Sequence, residues 1–328
     1  MRYLVTGGSG FIGSNFLNQF VPINPQDQFL NVDLLTYAGN NQFVQVGDRA
    51  NYQFIQADIA DATVISAVFT DFQPDVVVNF AAESHVDQSI TNPDKFVHSN
   101  VRGTVTLLDA ARTVWDGQFE GKRFHQVSTD EVFGTLGETG TFTETSPYRP
   151  RSPYSASKAA ADHFVQAYHA TYGLPISITH CTNNYGPNQN DEKLIPTVIK
   201  RALNHDPIPI YGSGQNVRDW LYVGDHNQAI WRVIHRGQVG GVYNIGATCE
   251  KSNLNLVRSV LAELARQTNT NLTDLENLMT FVPDRPGHDF RYSLNWAKIR
   301  RELHWMPQVS YTEGMRKTVA AYLSQKSN

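Results

Sequence analysis

Short apolar runs alternate with amphipathic stretches from the first residues onward, at positions 3–5, 29–32, 54–55, 76–80 and 124–127. Runs of strand length separated by helix-sized intervals predict an α/β chain built on a parallel, doubly wound sheet. Between the last two runs, Phe96, Val97, Asn100, Val101, Thr104, Leu107, Leu108 and Ala111 recur every three or four residues, which predicts a long helix with one apolar stripe. A second, Ala-rich helix follows Ser155. Such faces can pack on the sheet or pair with a second subunit in a four-helix contact, and the pattern leaves both open. Beyond residue 185 the periodicity loosens into loops rich in Pro, Gly and Asn, with helices predicted near 194–204, 225–236, 253–268 and 312–324. The chain therefore divides at a soft boundary into residues 1–185 and a smaller substrate-binding region, residues 186–328. The two interleave, because Val242, Tyr243, Asn244 and Ile245 read as one more buried strand of the first unit.

Composition narrows the partners. With 328 residues, 41% of them hydrophobic, the chain can bury a large core, and a formal net charge of −4 with scattered Lys and Arg offers no footprint for nucleic acid or an anionic membrane. A small-molecule partner is expected. Two cysteines, Cys181 and Cys249, fit a reducing cytoplasm and are both expected to be buried thiols. No apolar run approaches the roughly 20 residues of a membrane span, so a soluble, cytoplasmic protein is expected.

After the first run stand Gly7, Gly10 and Gly13 in a G-x-x-G-x-x-G turn that leads into a helix. Glycines there permit a tight turn and let backbone N–H groups, including those of Phe11 and Ile12, approach a pyrophosphate at the positive end of the helix. The second run ends at Asp33, where a carboxylate can hold the adenosine ribose hydroxyls and repel a 2′-phosphate, which favours NAD over NADP; Arg49 lies downstream. Asp58 and Ile59 follow the third run, where they can meet the adenine edge and face, although an Asp here can equally cap the next helix.

Tyr154 and Lys158 lie four apart, on one face of the second helix. A nearby ammonium and the charge of a nicotinamide are expected to lower the phenol's pKa and make it a usable base. The glycine turn with Tyr154 and Lys158 resembles the extended short-chain dehydrogenase/reductases, which have a Rossmann-type fold and typically act on nucleotide sugars. The resemblance implies that Tyr154 takes a proton from a sugar hydroxyl while hydride passes to NAD, that Lys158 holds the ribose, and that Thr129 supports Tyr154. It further places Ala81, Ala82, Ser84 and Asn184 beside the nicotinamide.

The two residues after Thr129 separate the branches of that family: Asp130 and Glu131 resemble the dTDP-glucose 4,6-dehydratases. Once C4 is oxidised the C5 proton becomes acidic, so one carboxylate must remove it and a protonated group must help the C6 oxygen leave. The resemblance assigns the base to Glu131 and the acid to Asp130, with hydride returning to C6 and NAD regenerated each turnover. The bland alternative is that the two carboxylates only cap the next segment. By the same resemblance His85, Thr129, Asn183, Lys193, Leu194, Pro209, Tyr211, Arg218, Asn253, Asp284, Arg285 and His288 surround the dTDP-glucose, Arg218 pairing with the diphosphate through its fork of donors. No metal ligand is implied, and a homodimer is expected.

Two stretches depart from the family pattern: polar residues replace an aromatic and a proline within 185–192, and Gly224 stands where an acidic residue is common. A 4-epimerase shares the glycine turn, Tyr and Lys but has no use for an acid and a base at C5 and C6. GDP-mannose and CDP-glucose dehydratases perform the same elimination on other nucleotides. A catalytically silent relative would keep NAD as a structural or sensing ligand, and such proteins usually lose the Tyr or the Lys.

Overall fold

The computed structural model describes residues 1–284 and 289–326. Its first half runs β1 (Arg2–Thr6), α1 (Phe11–Phe20), β2 (Gln28–Asp33), β3 (Tyr52–Gln56), α2 (Ala62–Phe72), β4 (Val76–Asn79), α3 (Val86–Thr91), α4 (Pro93–Phe96), a π-helical stretch (Val97–Arg102), α5 (Gly103–Trp115), β5 (Arg123–Thr129), a 3-10 turn (Asp130–Phe133), α6 (Pro153–Tyr172) and β6 (Ile176–Cys181). The second half runs β7 (Asn183–Tyr185), α7 (Leu194–Asn204), β8 (Ile208–Tyr211), β9 (Val217–Tyr222), α8 (Val223–Arg236), β10 (Gly241–Ile245), β11 (Glu250–Ser252), α9 (Asn253–Thr268), α10 (Leu272–Glu276), β12 (Met279–Val282), α11 (Ala297–Leu303) and α12 (Tyr311–Lys326).

The main sheet has the order β10-β6-β5-β4-β1-β2-β3, and every pairing in it is parallel. Tyr3, Leu4, Val5, Val77 and Val78 are fully buried, as central parallel strands covered on both faces must be. One apolar cluster joins β1 to α1 and α8, and another joins the opposite face to α2, α5 and α6. Strand order reverses between β1 and β4, so a crevice opens at the carboxyl ends of the strands, where doubly wound sheets bind their ligands. The strand expected at 242–245 is β10, paired with β6 from Gly241↔Ser177 to Ile245↔Cys181.

Local chemistry sets the helices that frame this crevice. Asp61 caps α2 by accepting from Thr63 and Val64 N–H at 3.0 and 3.1 Å, so the helix-capping role open to Asp58 falls on its neighbour. Helix α6 starts from a capping box at Ser152 and Ser155 with Pro153 in the first turn, which fixes where Tyr154 and Lys158 emerge. The long regular helix expected from the stripe at 96–111 is interrupted, because Val97–Arg102 adopts π-helical bonding. Within that stretch buried Asn100 accepts from Glu83 N–H at 2.8 Å and donates to the Glu83 carbonyl at 3.0 Å and to Ser157 Oγ at 2.8 Å. The irregularity thus ties the loop after β4 to α6.

The later residues form two small sheets, β11-β9-β7 and β12-β8, over a third apolar cluster with α7, α9 and α12. Cys181 is buried as expected; Cys249 is only partly so, because it lies just before the short strand β11, and both thiols are free.

Candidate active site

A cavity of about 310 Å³ opens over the carboxyl ends of β1, β2, β4, β5 and β6. It gathers Gly7, Gly10, Phe11, Ile12, Gly13, Asp33, Asp58, Ile59, Ala81, Ala82, Ser84 and Asn184 along one wall and Thr129, Asp130, Glu131, Tyr154 and Lys158 along the other, with Asn183 and Lys193 at its edge. These residues come from separate strand ends, turns and helices, most of them gathered by the one parallel sheet.

The glycine turn fits a dinucleotide phosphate on its own geometry. Gly7 has φ +69°, and a Cβ there would sit 2.6 Å from Ala81 N, while a Cβ on Gly13 would run into the Gly7 carbonyl. Both are needed for the turn to close on itself. Gly10 differs: its nearest obstacle is the Gly7 carbonyl at 3.3 Å, and it precedes α1 without any side-chain cap. The first N–H groups of α1 are therefore free of a side-chain acceptor where the cavity meets the helix's positive end. Asp33 accepts from Ser9 N–H at 3.0 Å and from Leu35 N–H at 2.8 Å, which aims its carboxylate at the cavity rim. Burial raises its pKa against those two bonds. Arg49 is not among the cavity's residues. Asp58 accepts from Ala60 N–H at 2.8 Å and faces His98 at 2.9 Å.

On the opposite wall, the cap of the 3-10 turn is Thr129, whose hydroxyl accepts from Glu131 N–H at 3.3 Å and donates to Asp130 Oδ1 at 3.3 Å. Asp130 and Glu131 are thereby relieved of the capping role that was their bland alternative. Burial, reinforced by the Glu131 charge, pushes Asp130 well above the usual carboxylate range, and the Arg218 charge offsets this in part. Its Oδ2 is buried with no hydrogen-bond partner among the described residues. Burial and the Glu131 charge both favour the protonated form, the form that can donate a proton.

Tyr154 is buried, and burial followed by the Glu131 charge raises its pKa well above the ordinary phenol value, with a hydrogen bond from Thr129 pulling the other way. In the chain by itself the shift thus runs opposite to the one expected from the ammonium and the nicotinamide charge together. The Lys158 ammonium donates to the Val127 carbonyl at 2.7 Å, and its own pKa is lowered by burial.

The expected sugar-nucleotide residues are less gathered. His85 caps α3, accepting from Gln88 N–H at 3.4 Å, and faces Glu192 at 3.5 Å just outside the cavity. Leu194 opens α7, Pro209 and Tyr211 lie on β8, Asn253 opens α9 and Asp284 follows β12, none of them lining the cavity. Arg285 and His288 lie outside the described residues. Arg218 is buried, donating to the carbonyls of Val217, Phe290 and Asp289 at 2.7, 3.2 and 2.9 Å and stacking 4.4 Å over the Tyr292 ring. It is no salt-bridged surface residue. It shares the sheet β11-β9-β7 with the cavity residues Asn183 and Asn184.

Cavity residues that sequence reasoning misses include Leu34, Gly39, Ser99, Cys181 and Gln189. Ser99 reaches it from the π-helical stretch, where a 3.6-residue period carries no information. Gln189 and Asn190 belong to the stretch that departs from the family pattern. Gln189 donates to the Asn184 carbonyl at 3.0 Å and Asn190 to the Tyr37 carbonyl at 3.2 Å, so these polar residues pin the loop against the cavity. The absent acidic residue at Gly224 has a steric counterpart, since a Cβ there would lie 3.0 Å from the Tyr222 ring.

Sheet order, glycine turn and Tyr/Lys pair together define an extended short-chain dehydrogenase/reductase, and the family model described as GDP-mannose 4,6 dehydratase matches residues 4–318. Within that class the chain belongs to the dTDP-glucose 4,6-dehydratase family. It is 50% identical over 337 residues to the dTDP-glucose 4,6-dehydratase of Haemophilus influenzae, covering 100% of this chain and 99% of that protein. The enzyme of that name from Neisseria meningitidis is 49% identical, with 99% of this chain and 94% of the relative covered. Among solved structures, the dTDP-glucose 4,6-dehydratase of Streptomyces venezuelae, with NAD and a second ligand bound, is 42% identical with a TM-score of 0.90 and covers 100% of this chain and 98% of its own. The UDP-glucose 4-epimerase of Thermotoga maritima, with UDP-glucose, superposes with a TM-score of 0.87 at 26% identity, over 99% of this chain and 100% of that one.

Proposed function

We propose that the protein is a lyase that converts dTDP-glucose to dTDP-4-keto-6-deoxyglucose and water, with NAD held in the cavity and regenerated in every turnover. The observation that carries this reading is the Asp130–Glu131 pair, side by side after Thr129 at the cavity wall, with Asp130 pushed toward its protonated form. NAD, when bound, supplies the hydride acceptor for C4 and the hydride donor for C6. Everything else falls to the chain's own groups. Gly10 and the start of α1 receive the pyrophosphate, Asp33 the ribose, and Asp58 with Ile59 the adenine. Tyr154 takes the proton of the C4 hydroxyl, assisted by Thr129, while Lys158 orients the ribose. Glu131 removes the C5 proton, Asp130 gives its proton to the C6 oxygen as water leaves, and Glu131 returns the proton to C5 as hydride reaches C6.

Asn183, Lys193, Leu194, Pro209, Tyr211, Arg218, Asn253, Asp284, Arg285 and His288 receive the nucleotide, and His85 the hexose side. The epimerases share the fold, but an epimerisation at C4 leaves Asp130 and Glu131 without work. The free thiols of Cys181 and Cys249 fit a reducing cytoplasm.

We assign a homodimer built on α5 and α6, supported by the exposed apolar side chains of Val97, Phe164 and Tyr172 on these elements and the π-helical stretch before them. Sedimentation at micromolar concentration should give twice the chain mass, and Phe164→Glu should shift it toward the monomer; a monomer for the unaltered protein would sink the assignment.

The functional reading is tested by incubating the protein with dTDP-glucose and, separately, with UDP-, GDP- and CDP-linked sugars, and following product mass. Loss of one water from the dTDP sugar is the expected result. Water lost only from another nucleotide sugar would reassign the substrate, and an unchanged mass with a new C4 epimer would contradict the reaction.

A further inference from the structure

Behind the Tyr154 and Lys158 pair lies a buried polar cluster to which the proposed reaction assigns no role. Asp162 stands one helical turn beyond Lys158 on α6 and is fully buried. Its Oδ2 accepts the Ser128 hydroxyl at 2.6 Å and the Tyr148 hydroxyl at 3.2 Å and faces His180 Nε2 at 3.3 Å; Tyr148 OH and His180 Nε2 are themselves 2.7 Å apart. Its Oδ1 has no hydrogen-bond partner among the described residues. A carboxylate taken wholly out of water is costly unless it answers a charge nearby.

Ser128 sits between the two β5 residues that the proton-transfer pair touches. The Val127 carbonyl accepts from Lys158, and Thr129 bonds to Tyr154. Anchoring Ser128 therefore sets the height of both neighbours. The charged or titratable groups acting on Lys158 are Asp162 from its own helix and Cys181 from β6, and Tyr154, Asp130 and Glu131 line the same cavity. Burial pulls the Lys158 ammonium down, and Asp162 is the largest contribution holding it up.

We propose that Asp162 is a positioning residue for the reaction: through its hydrogen bond to Ser128 it fixes the end of β5, and from one helical turn away it supplies the negative charge that balances the buried Lys158. The proposal rests on the roles proposed for Tyr154 and Lys158. Its sign is direct. Lys158 works as a cation, so activity falls as pH rises through its pKa, and removing the Asp162 charge lowers that pKa further. The alkaline limb of the rate profile must then move to lower pH.

The test compares the pH dependence of kcat for dTDP-glucose dehydration in Asp162→Asn, Asp162→Glu and Ser128→Ala. Asp162→Asn should move the alkaline limb down by about one pH unit while KM stays within about twofold, since a neighbouring charge shifts a buried group by roughly that much. Asp162→Glu and Ser128→Ala keep the charge and should leave the limb in place, with kcat lowered for Ser128→Ala. An unmoved limb in Asp162→Asn overturns the proposal. If Asp162→Asn does not fold, Lys158→Met and Lys158→Met/Asp162→Asn are compared by melting temperature. Equal values support a charge acting through Lys158, and a markedly lower value for the double variant overturns it. Tyr154→Phe serves as the control: if it turns over normally, both the functional reading and this proposal fall. If it is inactive while the Asp162→Asn limb stays put, only the proposal fails.

Discussion

Tyr154→Phe should lose about two to four orders of magnitude in kcat while still binding NAD and dTDP-glucose, because a positioned base contributes roughly 10²–10⁴-fold and no other group stands ready to replace it. The substitution removes one hydroxyl from a residue buried against the Phe96 ring at 6.4 Å, so the packing of α6 on its neighbours survives. What disappears is the acceptor for the C4 hydroxyl proton, and with it the first step on which the elimination depends. The chain's own groups hold the phenol above its ordinary range. Rapid-mixing kinetics with equilibrium binding separates the two effects. Normal turnover with intact binding would mean that another residue takes the proton.

The second large effect distinguishes Glu131 from Asp130. Glu131→Gln should abolish exchange of the C5 proton with solvent and reduce kcat by about 10²–10⁴-fold, since a base removed from an acidified C–H has no substitute on that face. Asp130→Asn should leave oxidation at C4 intact and stall loss of water, because Asn cannot deliver the proton that departure of the C6 oxygen requires. The direction of the Asp130 shift underlies this division: burial and the adjacent Glu131 charge favour its protonated, donor form. Deuterium uptake at C5 in heavy water, tracked by mass spectrometry for each variant, reads the two roles apart. Exchange at the normal rate in Glu131→Gln would require another base, and normal turnover in Asp130→Asn would remove it as the acid.

The sheet was legible where its strands are apolar throughout. Tyr3, Leu4 and Val5, or Val76, Val77 and Val78, carry no charged side chain and declare themselves as strands buried on both faces. Strand β6 was not legible, because Ser177, Thr179 and His180 interrupt its apolar pattern. Inside the protein these residues are satisfied by partners on other segments: His125 meets Ser177 at 2.9 Å and Thr179 at 3.1 Å, and His180 meets Tyr148 at 2.7 Å. Hydropathy cannot register pairs that form only after folding. The π-helical bonding at Val97–Arg102 escaped for a related reason, since Asn100 finds its partners on the loop after β4 and on α6, far away in sequence.

At the site, the residues that read clearly were those in short local motifs. The glycine turn, the strand-end Asp33, the Thr129–Asp130–Glu131 run and the Tyr154/Lys158 pair each bring their geometry with them, and the cavity contains all of them. The nucleotide side was legible only by resemblance. Its residues lie on small sheets such as β8 with β12, whose partners are distant in sequence, and Arg218 is engaged with backbone carbonyls and the Tyr292 ring, which no spacing in the chain foretells. Asp162 reads in the sequence as one more residue of a helix, although it stands one turn beyond Lys158.

The most direct test converts dTDP-glucose carrying deuterium at C4 with the purified protein, without added cofactor, and determines the product's mass and label position. Loss of one water with the deuterium now at C6 is the predicted result, because it requires oxidation at C4, elimination across C5 and C6, and return of the same hydride within one closed site. Unchanged mass with the label still at C4 of an epimer, or a dehydrated product whose label has been lost to solvent, would contradict it.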